Sequence, residues 1–153
     1  MKFLSLAAVL LAGSTALAQP AKVEDLPASV LPTNVEDPAA LARLRRNSGI
    51  TLQWIGWERR GRLAVSERNG RVHLSGSQAG NGGRLTIDGD VSGIGATSFT
   101  FRGRIVIADT PDPGRNCVRD GIYEFRIIGQ RRYWRLQEME VCDGLTDYVD
   151  IYF

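Results

Sequence analysis

The stretch that decides the fold lies towards the C-terminal end, where residues 121–140 read GIYEFRIIGQRRYWRLQEME. Apolar and polar residues alternate on both sides of Gly129-Gln130, which is typical of two half-buried strands joined by a tight turn. Glycine at the first central position favours a two-residue type II′ turn. Equidistant residues should then pair, with Phe125 opposite Trp134 on an apolar face. The stretch predicts an antiparallel hairpin with one face in a core.

The two cysteines of the chain fit the same register. Cys117 and Cys142 are equidistant from the predicted turn and fall on its apolar face. Two cysteines in an exported chain favour a bridge, because the compartments outside the cytoplasm are oxidising. We therefore expect a Cys117–Cys142 disulfide that closes a loop of about 25 residues and stabilises the fold by about 3 kcal/mol.

Similar short runs of β-branched and aromatic residues, separated by turns that contain glycine, fill residues 50–153. Asn69-Gly70 is a type I′ signal and predicts a second hairpin in which Val65 lies opposite Leu74. The predicted strands are 50–57, 62–67, 71–77, 84–90, 97–108, 121–128, 131–140 and 146–153. The predicted fold class is all-β: a single antiparallel meander of about eight strands, barrel-like, with a β-sandwich as the alternative.

The first 49 residues differ from the rest. Residues 1–18 combine a lysine, an apolar run and a final Ala-Leu-Ala, which is the pattern of a secretory signal peptide cleaved after Ala18. The apolar run is too short to span a membrane, so no transmembrane anchor is expected after cleavage. Residues 19–49 predict a flexible leader with one short helix at 38–47. The sequence thus predicts an exported protein, periplasmic or secreted, whose all-β domain is 50–153.

Charge and motif content exclude several function classes. The chain has 19 basic and 17 acidic residues, so no strong positive field points to nucleic acid. An excess of arginine over residues 43–71 is expected to complement the acidic C-terminal region or to form a solvated face. The lone histidine, His73, pairs with Ser66 across the second hairpin, and we interpret the pair as part of a polar surface. No catalytic residue and no cofactor is predicted.

The last predicted strand suggests a binding surface. Tyr148 and Tyr152 bracket Asp150 on one face, and the hairpin at 121–140 presents further arginine and tyrosine side chains. Polar aromatic surfaces of this kind recognise sugars or peptides. The candidate binding residues are Arg126, Tyr133, Arg135, Tyr148, Asp150 and Tyr152.

Acidic residues suggest two further hypotheses. Calcium takes six to eight oxygen ligands, and four aspartates in loops near the predicted disulfide form a weak candidate site. These are Asp109, Asp112, Asp143 and Asp147. The alternatives are an ordinary solvated acidic loop or, with the other C-terminal carboxylates, the acid and nucleophile of a small secreted hydrolase.

Together these patterns predict an exported, non-enzymatic, β-barrel-like binding or interaction module of the cell envelope. Its partner is expected to be a small molecule, a glycan or an envelope protein, and not a nucleic acid. The small hydrolase is one alternative. The other is a structural or inhibitor protein with a protein partner.

Overall fold

The computed structural model describes residues 31–153. The predicted signal peptide and residues 19–30 of the predicted leader lie outside the described residues. The described part contains one helix and nine strands. In chain order they are β1 (Asn34–Val35), α1 (Pro38–Arg45), β2 (Gly49–Leu52), β3 (Arg62–Arg68), β4 (Arg71–Gly80), β5 (Gly83–Ile94), β6 (Ser98–Ala108), β7 (Asn116–Arg126), β8 (Tyr133–Leu136) and β9 (Val149–Tyr152).

The strands form a nearly closed barrel. Strands β3 to β9 are an antiparallel meander, and β2 pairs antiparallel with β9. The sheet curls until β2 lies beside the start of β3, where Ile50 and Gly61 exchange backbone hydrogen bonds of 3.1 and 2.7 Å. The prediction of an all-β, barrel-like antiparallel meander with a short helix is confirmed, and the sandwich alternative is not.

Aromatic side chains fill the barrel interior. Phe99, Phe101, Phe125 and Trp134 are all fully or almost fully buried. The rings of Phe99 and Phe125 stack with centroids 5.0 Å apart, and Trp134 meets Phe99 edge-on at 5.7 Å. In a barrel of eight strands the interior is wide enough for side chains to fill. Here the aromatic side chains occupy it.

A row of glycines makes room for these rings. Gly89, Gly103 and Gly121 lie opposite one another across β5, β6 and β7. A Cβ atom on Gly103 would lie 2.6 Å from the Cα of Gly89 and 2.8 Å from the ring of Phe101. The small residues therefore let the inward-facing ring of Phe101 lie against the backbone of the sheet.

The hairpin at Asn69-Gly70 forms as predicted. Both turn residues have positive φ, 53° and 74°, as a type I′ turn requires. Val65 lies opposite Leu74, and Ser66 lies opposite His73.

The register predicted for the hairpin at 121–140 is wrong by two residues. Phe125 lies opposite Leu136 instead of Trp134, and Arg126 lies opposite Arg135. The connection is longer than a two-residue turn, since β7 ends at Arg126 and β8 begins at Tyr133. A shift of two residues leaves each side chain on its predicted face, because side chains alternate with a period of two. The apolar face therefore still lies in the core.

Cys117 and Cys142 are at disulfide distance, with Cα atoms 5.8 Å apart, as predicted. Cys117 belongs to β7, whereas Cys142 lies in the connection between β8 and β9. The bridge therefore joins a strand to a loop and does not arise from the strand pairing that predicted it.

The segment before the barrel packs against it. Thr33 is buried, and its hydroxyl donates to Val91 O at 2.6 Å and accepts from Val72 N at 2.8 Å. Strand β1 pairs in parallel with β5. Helix α1 is capped by Asp37, which accepts from Ala40 N at 3.0 Å. Residues 33–45 of the predicted leader thus contact the barrel. No helix within residues 31–153 is long and apolar enough to cross a membrane.

Candidate functional site

The outer surface of β2, β9 and β8 carries most of the predicted binding residues. Tyr133 lies opposite Tyr152, and Arg135 lies opposite Asp150. Thr51 of β2 lies on the other side of Asp150. These side chains point away from the core because the residues between them in each strand face inward. We call this surface the tyrosine–arginine face and define it by Arg60, Arg131, Tyr133, Arg135, Tyr148, Asp150 and Tyr152.

An ion pair lies at the centre of the face. Arg135 donates to both oxygens of Asp150, from Nε at 2.7 Å and from Nη2 at 2.8 Å. Asp150 is fully buried although it lies on the outer side of the sheet. Burial raises the pKa of Asp150 more than Arg135 lowers it, whereas the hydrogen bonds to Asp150 raise the pKa of Arg135. The guanidinium of Arg135 thus covers the carboxylate of Asp150, which has no contact with solvent.

Guanidinium groups and tyrosine rings stack on one another around this pair. The Arg60 guanidinium lies 3.9 Å from the ring centroid of Tyr152, and that of Arg135 lies 4.1 Å from Tyr148. The rings of Tyr133 and Tyr152 are 5.2 Å apart. Stacking on the rings holds the cationic groups in place. The face therefore presents guanidinium N–H groups and ring edges outward.

Arg126 does not join the stack, although it was predicted with the other five residues. Its Cα lies opposite that of Arg135, but its guanidinium bonds to both oxygens of Glu124 at 2.8 and 2.7 Å. In its place the structure adds Arg60 and Arg131, whose guanidinium lies 5.7 Å from the ring of Tyr133. The excess of arginine at 43–71 was a signal for Arg60, but only the pairing of β2 with β9 shows which tyrosine it meets.

A second charged cluster lies beside the disulfide. Asp147 is fully buried and accepts from Arg115 Nη1 and Nη2 at 2.9 Å and from Arg119 Nη2 at 2.5 Å. The indole of Trp54 donates to the same carboxylate at 3.0 Å. Arg119 also donates to Glu138 O at 2.8 Å. Through Asp147, the cluster connects the loop between β8 and β9 to Arg119 of β7 and to Trp54, in the segment after β2.

The model of one family, described as the PM1083 family, matches residues 32–153. The chain belongs to the PM1083 family. Among curated proteins, the "Uncharacterized protein PM1083" of Pasteurella multocida (strain Pm70) is 38% identical over 104 residues, which cover 67% of this chain and 68% of that protein. No solved structure matches the chain. The PM1083-family match begins just before β1, so it includes β1 and α1 as well as the barrel.

The predicted calcium site is not assembled in this PM1083-family protein. Both oxygens of Asp147 are bound to arginine, and Asp143 accepts from Arg115 Nε at 3.1 Å. Asp109 accepts from the backbone N–H of Gly114. The remaining member of the predicted set is Asp112. Within residues 31–153 no group of three or more histidine, cysteine, aspartate or glutamate side chains is placed to hold a metal ion. A cation beside Asp147 would face two arginine charges, which explains the difference.

The hydrolase alternative finds no support in these contacts. Asp147 and Asp150 are the buried carboxylates of the C-terminal region, and arginine occupies both oxygens of each. They belong to separate clusters. A general acid needs a carboxyl group within hydrogen-bonding reach of the substrate. Both carboxylates are instead bound to arginine and buried from solvent.

A serine, a histidine and an aspartate lie in one row across β3, β4 and β5. Ser66 lies opposite His73, and His73 lies opposite Asp90, with Nδ1 2.8 Å from the carboxylate. The order resembles a nucleophile, a base and an orienting acid. However, the second ring nitrogen faces Asp88 at 3.4 Å, and the row lies on the outer face of the sheet. The interpretation as a polar surface therefore stands.

Proposed function

We propose that this PM1083-family protein is an exported, non-enzymatic binding module of the cell envelope that docks an acidic region of a protein partner on the tyrosine–arginine face. The observation that carries the proposal is that Arg60 lies over the ring of Tyr152, which contacts the ring of Tyr133, on the outside of a barrel whose interior is filled. A filled interior leaves the surface for recognition. Within residues 31–153, this face holds four contacts between an arginine guanidinium and a tyrosine ring.

Its composition favours a protein partner. Tyrosine and arginine are enriched among the residues that dominate protein–protein binding energies. A guanidinium already held against a ring loses less conformational entropy when it binds. Arg60 and Arg135 are both held in this way. The contacts of Arg60 and Arg135 with tyrosine rings thus reduce the conformational entropy that is lost when a partner binds.

Its charge favours an acidic partner. The outward-facing ionised groups of the face are arginines, whereas its carboxylate, Asp150, is fully buried. Potentials of opposite sign on two surfaces speed association and select partners. A sugar would stack on an open ring face, but the rings of Tyr148 and Tyr152 are already covered by Arg135 and Arg60. The geometry therefore favours carboxylates of a protein over a neutral glycan.

Two observations support export. The signal peptide pattern at residues 1–18 predicts a mature chain that begins at Gln19. The Cys117–Cys142 bridge fits an oxidising compartment. Intact mass spectrometry of the protein purified from its own cells should give the chain from Gln19 with no free thiol. A full-length chain with two free thiols would refute export and leave the docking surface to be tested separately.

The docking surface is tested by photo-crosslinking in the native cell envelope. A photoreactive residue at Tyr133 should give one specific adduct, whereas the same residue at Ser75, on the outer face of β4, should not. The partner is then identified and purified for binding measurements. We expect Arg131→Gln and Tyr133→Ala each to weaken its Kd by about tenfold.

Arg102→Gln is the matched control, because it removes the same charge from an exposed position on β6. It should leave the Kd within about twofold. Equal crosslinking from Tyr133 and Ser75, or a partner whose affinity does not change in the two face variants, would overturn the proposal.

A further inference from the structure

A small pocket lies where α1 meets the ends of β8 and β9. It has a volume of about 270 Å³ and is lined by Arg43, Arg46, Arg132 and Phe153. The first two arginines come from the end of α1, the third directly precedes β8, and the phenylalanine directly follows β9. The end of α1 and the start of β8 thus bring three guanidinium groups to one opening, and the end of β9 adds an aromatic ring.

The walls of the pocket are fixed by contacts with the core. The ring of Phe153 lies 4.5 Å from that of Trp134, and its backbone N–H donates to Arg132 O at 3.2 Å. The Arg43 guanidinium lies 5.2 Å from the ring of Phe153 and donates to Ala96 O at 2.8 Å. Two of the four lining residues are therefore held in place by the barrel.

Among the described residues, the arginines of the pocket have no aspartate or glutamate side chain as an ion-pair partner. Within residues 31–153, no carboxylate lies within 4.0 Å of the nitrogens of Arg43, Arg46 or Arg132. By contrast, Arg115 and Arg135, the arginines of the two clusters described above, both bind aspartate. The Nε of Arg43 is also buried without a hydrogen-bond partner. A buried donor without an acceptor is costly, and a charged one more so.

We propose that this pocket binds the phosphate group of a small molecule, with the ring of Phe153 against the apolar part of that molecule. A phosphate group offers three terminal oxygens and close to two negative charges, which matches three guanidinium groups better than a carboxylate does. The volume of about 270 Å³ lies just below the range of drug-sized sites, so the ligand is small. The inference is independent of the docking surface proposed above.

The test uses phenyl phosphate as the probe and the indole N–H of Trp134 as the NMR reporter. That N–H is buried and unpartnered, and its ring contacts Phe153, so a ligand in the pocket should shift its resonance. We expect a saturable shift with phenyl phosphate at constant ionic strength. Phenol, the neutral analogue, should give none at the same concentrations. The resonance is assigned by its loss in Trp134→Phe.

Arg46→Gln and Arg132→Gln change exposed side chains and should leave the melting temperature unchanged. Each should weaken phenyl phosphate binding by about fivefold, as expected for the loss of one charged contact at a partly exposed site. Arg102→Gln removes an equal charge elsewhere and should have no effect. An equal shift with phenol, no saturable shift with phenyl phosphate, or equal weakening by Arg102→Gln would overturn the proposal.

Discussion

Asp147 brings two arginines together in a place that water does not reach. The side chain of Arg115 is 5% exposed, and those of Arg119 and Asp147 are not exposed at all. Removing one partner from a buried ion pair leaves an uncompensated charge, and here it would leave two. The aspartate is thus the group on which the whole cluster depends.

We predict that Asp147→Ala lowers the free energy of unfolding by about 3–5 kcal/mol. The matched control is Asp143→Ala, because Asp143 binds the same Arg115 but is 61% exposed. An exposed ion pair contributes about 0–1 kcal/mol, so the control should remain near the wild type. Urea unfolding followed by far-ultraviolet circular dichroism measures both. Equal losses in the two variants would show that burial is not what makes Asp147 important.

At the residue scale, alternation along the strands was enough to place part of the candidate site. It put Tyr133 and Arg135 on the outward side of β8 because Trp134 and Leu136 between and beside them are apolar. It did not reveal the burial of Asp147. Acidic residues near one another in a loop resemble a solvated segment, and no periodic pattern links that loop to arginines about 30 residues earlier.

Strand β7 is paired unequally on its two sides, because β6 runs along its whole length but β8 runs along only part of it. It is 11 residues long, yet it pairs with β8 only at Phe125 and Arg126. Along the rest of β7, the loop between β8 and β9 is attached through Arg119 and through the Cys117–Cys142 bridge. The disulfide therefore takes over part of the role that a longer β8 would have.

We predict that the double variant Cys117→Ser with Cys142→Ser loses about 3 kcal/mol of stability, as expected for a bridge that spans 25 residues. Chemical denaturation of the oxidised wild type and of the variant gives the difference. Wild type kept reduced by a thiol reagent should match the variant, which separates loss of the bridge from the effect of the new serines. Coincident unfolding midpoints for the oxidised wild type and the variant would contradict the prediction.

The sequence could predict that the element 121–140 contains two strands, but not how they join. Gly129 does adopt a positive φ of 62°, as the predicted turn requires. However, the strands stop well before it, and β8 retains only four of the ten residues predicted. Local turn signals say where a chain reverses. β8 also pairs with β9 along its other edge, and this contact leaves no local pattern at the predicted turn.

For the whole molecule, the seam between β2 and β3 decides whether the sheet is a barrel. One pair, Ile50 and Gly61, exchanges backbone hydrogen bonds there. Beside it, the buried side chain of Gln78 continues the seam: Oε1 accepts from Leu52 N at 2.7 Å, and Nε2 donates to Gly56 O at 2.8 Å. The side-chain amide of Gln78 thus makes the hydrogen bonds that a neighbouring strand would otherwise make at the seam.

We predict that Gln78→Leu lowers the free energy of unfolding by about 3 kcal/mol, because it leaves the buried N–H of Leu52 and the carbonyls of Gly56 and Arg59 without this partner. Hydrogen exchange should accelerate at Leu52 more than in β5 and β6. The control is Ser77→Ala, at the neighbouring residue, which faces outward. It should change the free energy of unfolding by no more than about 0.5 kcal/mol. Unchanged protection of the Leu52 amide would show that the seam does not need the glutamine.

The barrel-like class was predictable because about eight amphipathic strands with short turns have few other ways to bury one face each. The pairing of β2 with β9 was not predictable, because the two strands lie about 100 residues apart and share no sequence signal.

The pairing of β2 with β9 also has a temporal consequence. Ile50 contacts Ile151, about 100 residues later, and at the usual rate of translation the interval between them is on the order of ten seconds. During that time β2, all four of whose residues are buried in the finished barrel, has no partner strand. The apolar side chains of β2 therefore stay without their covering strand at least until the last residues of the chain have been synthesised.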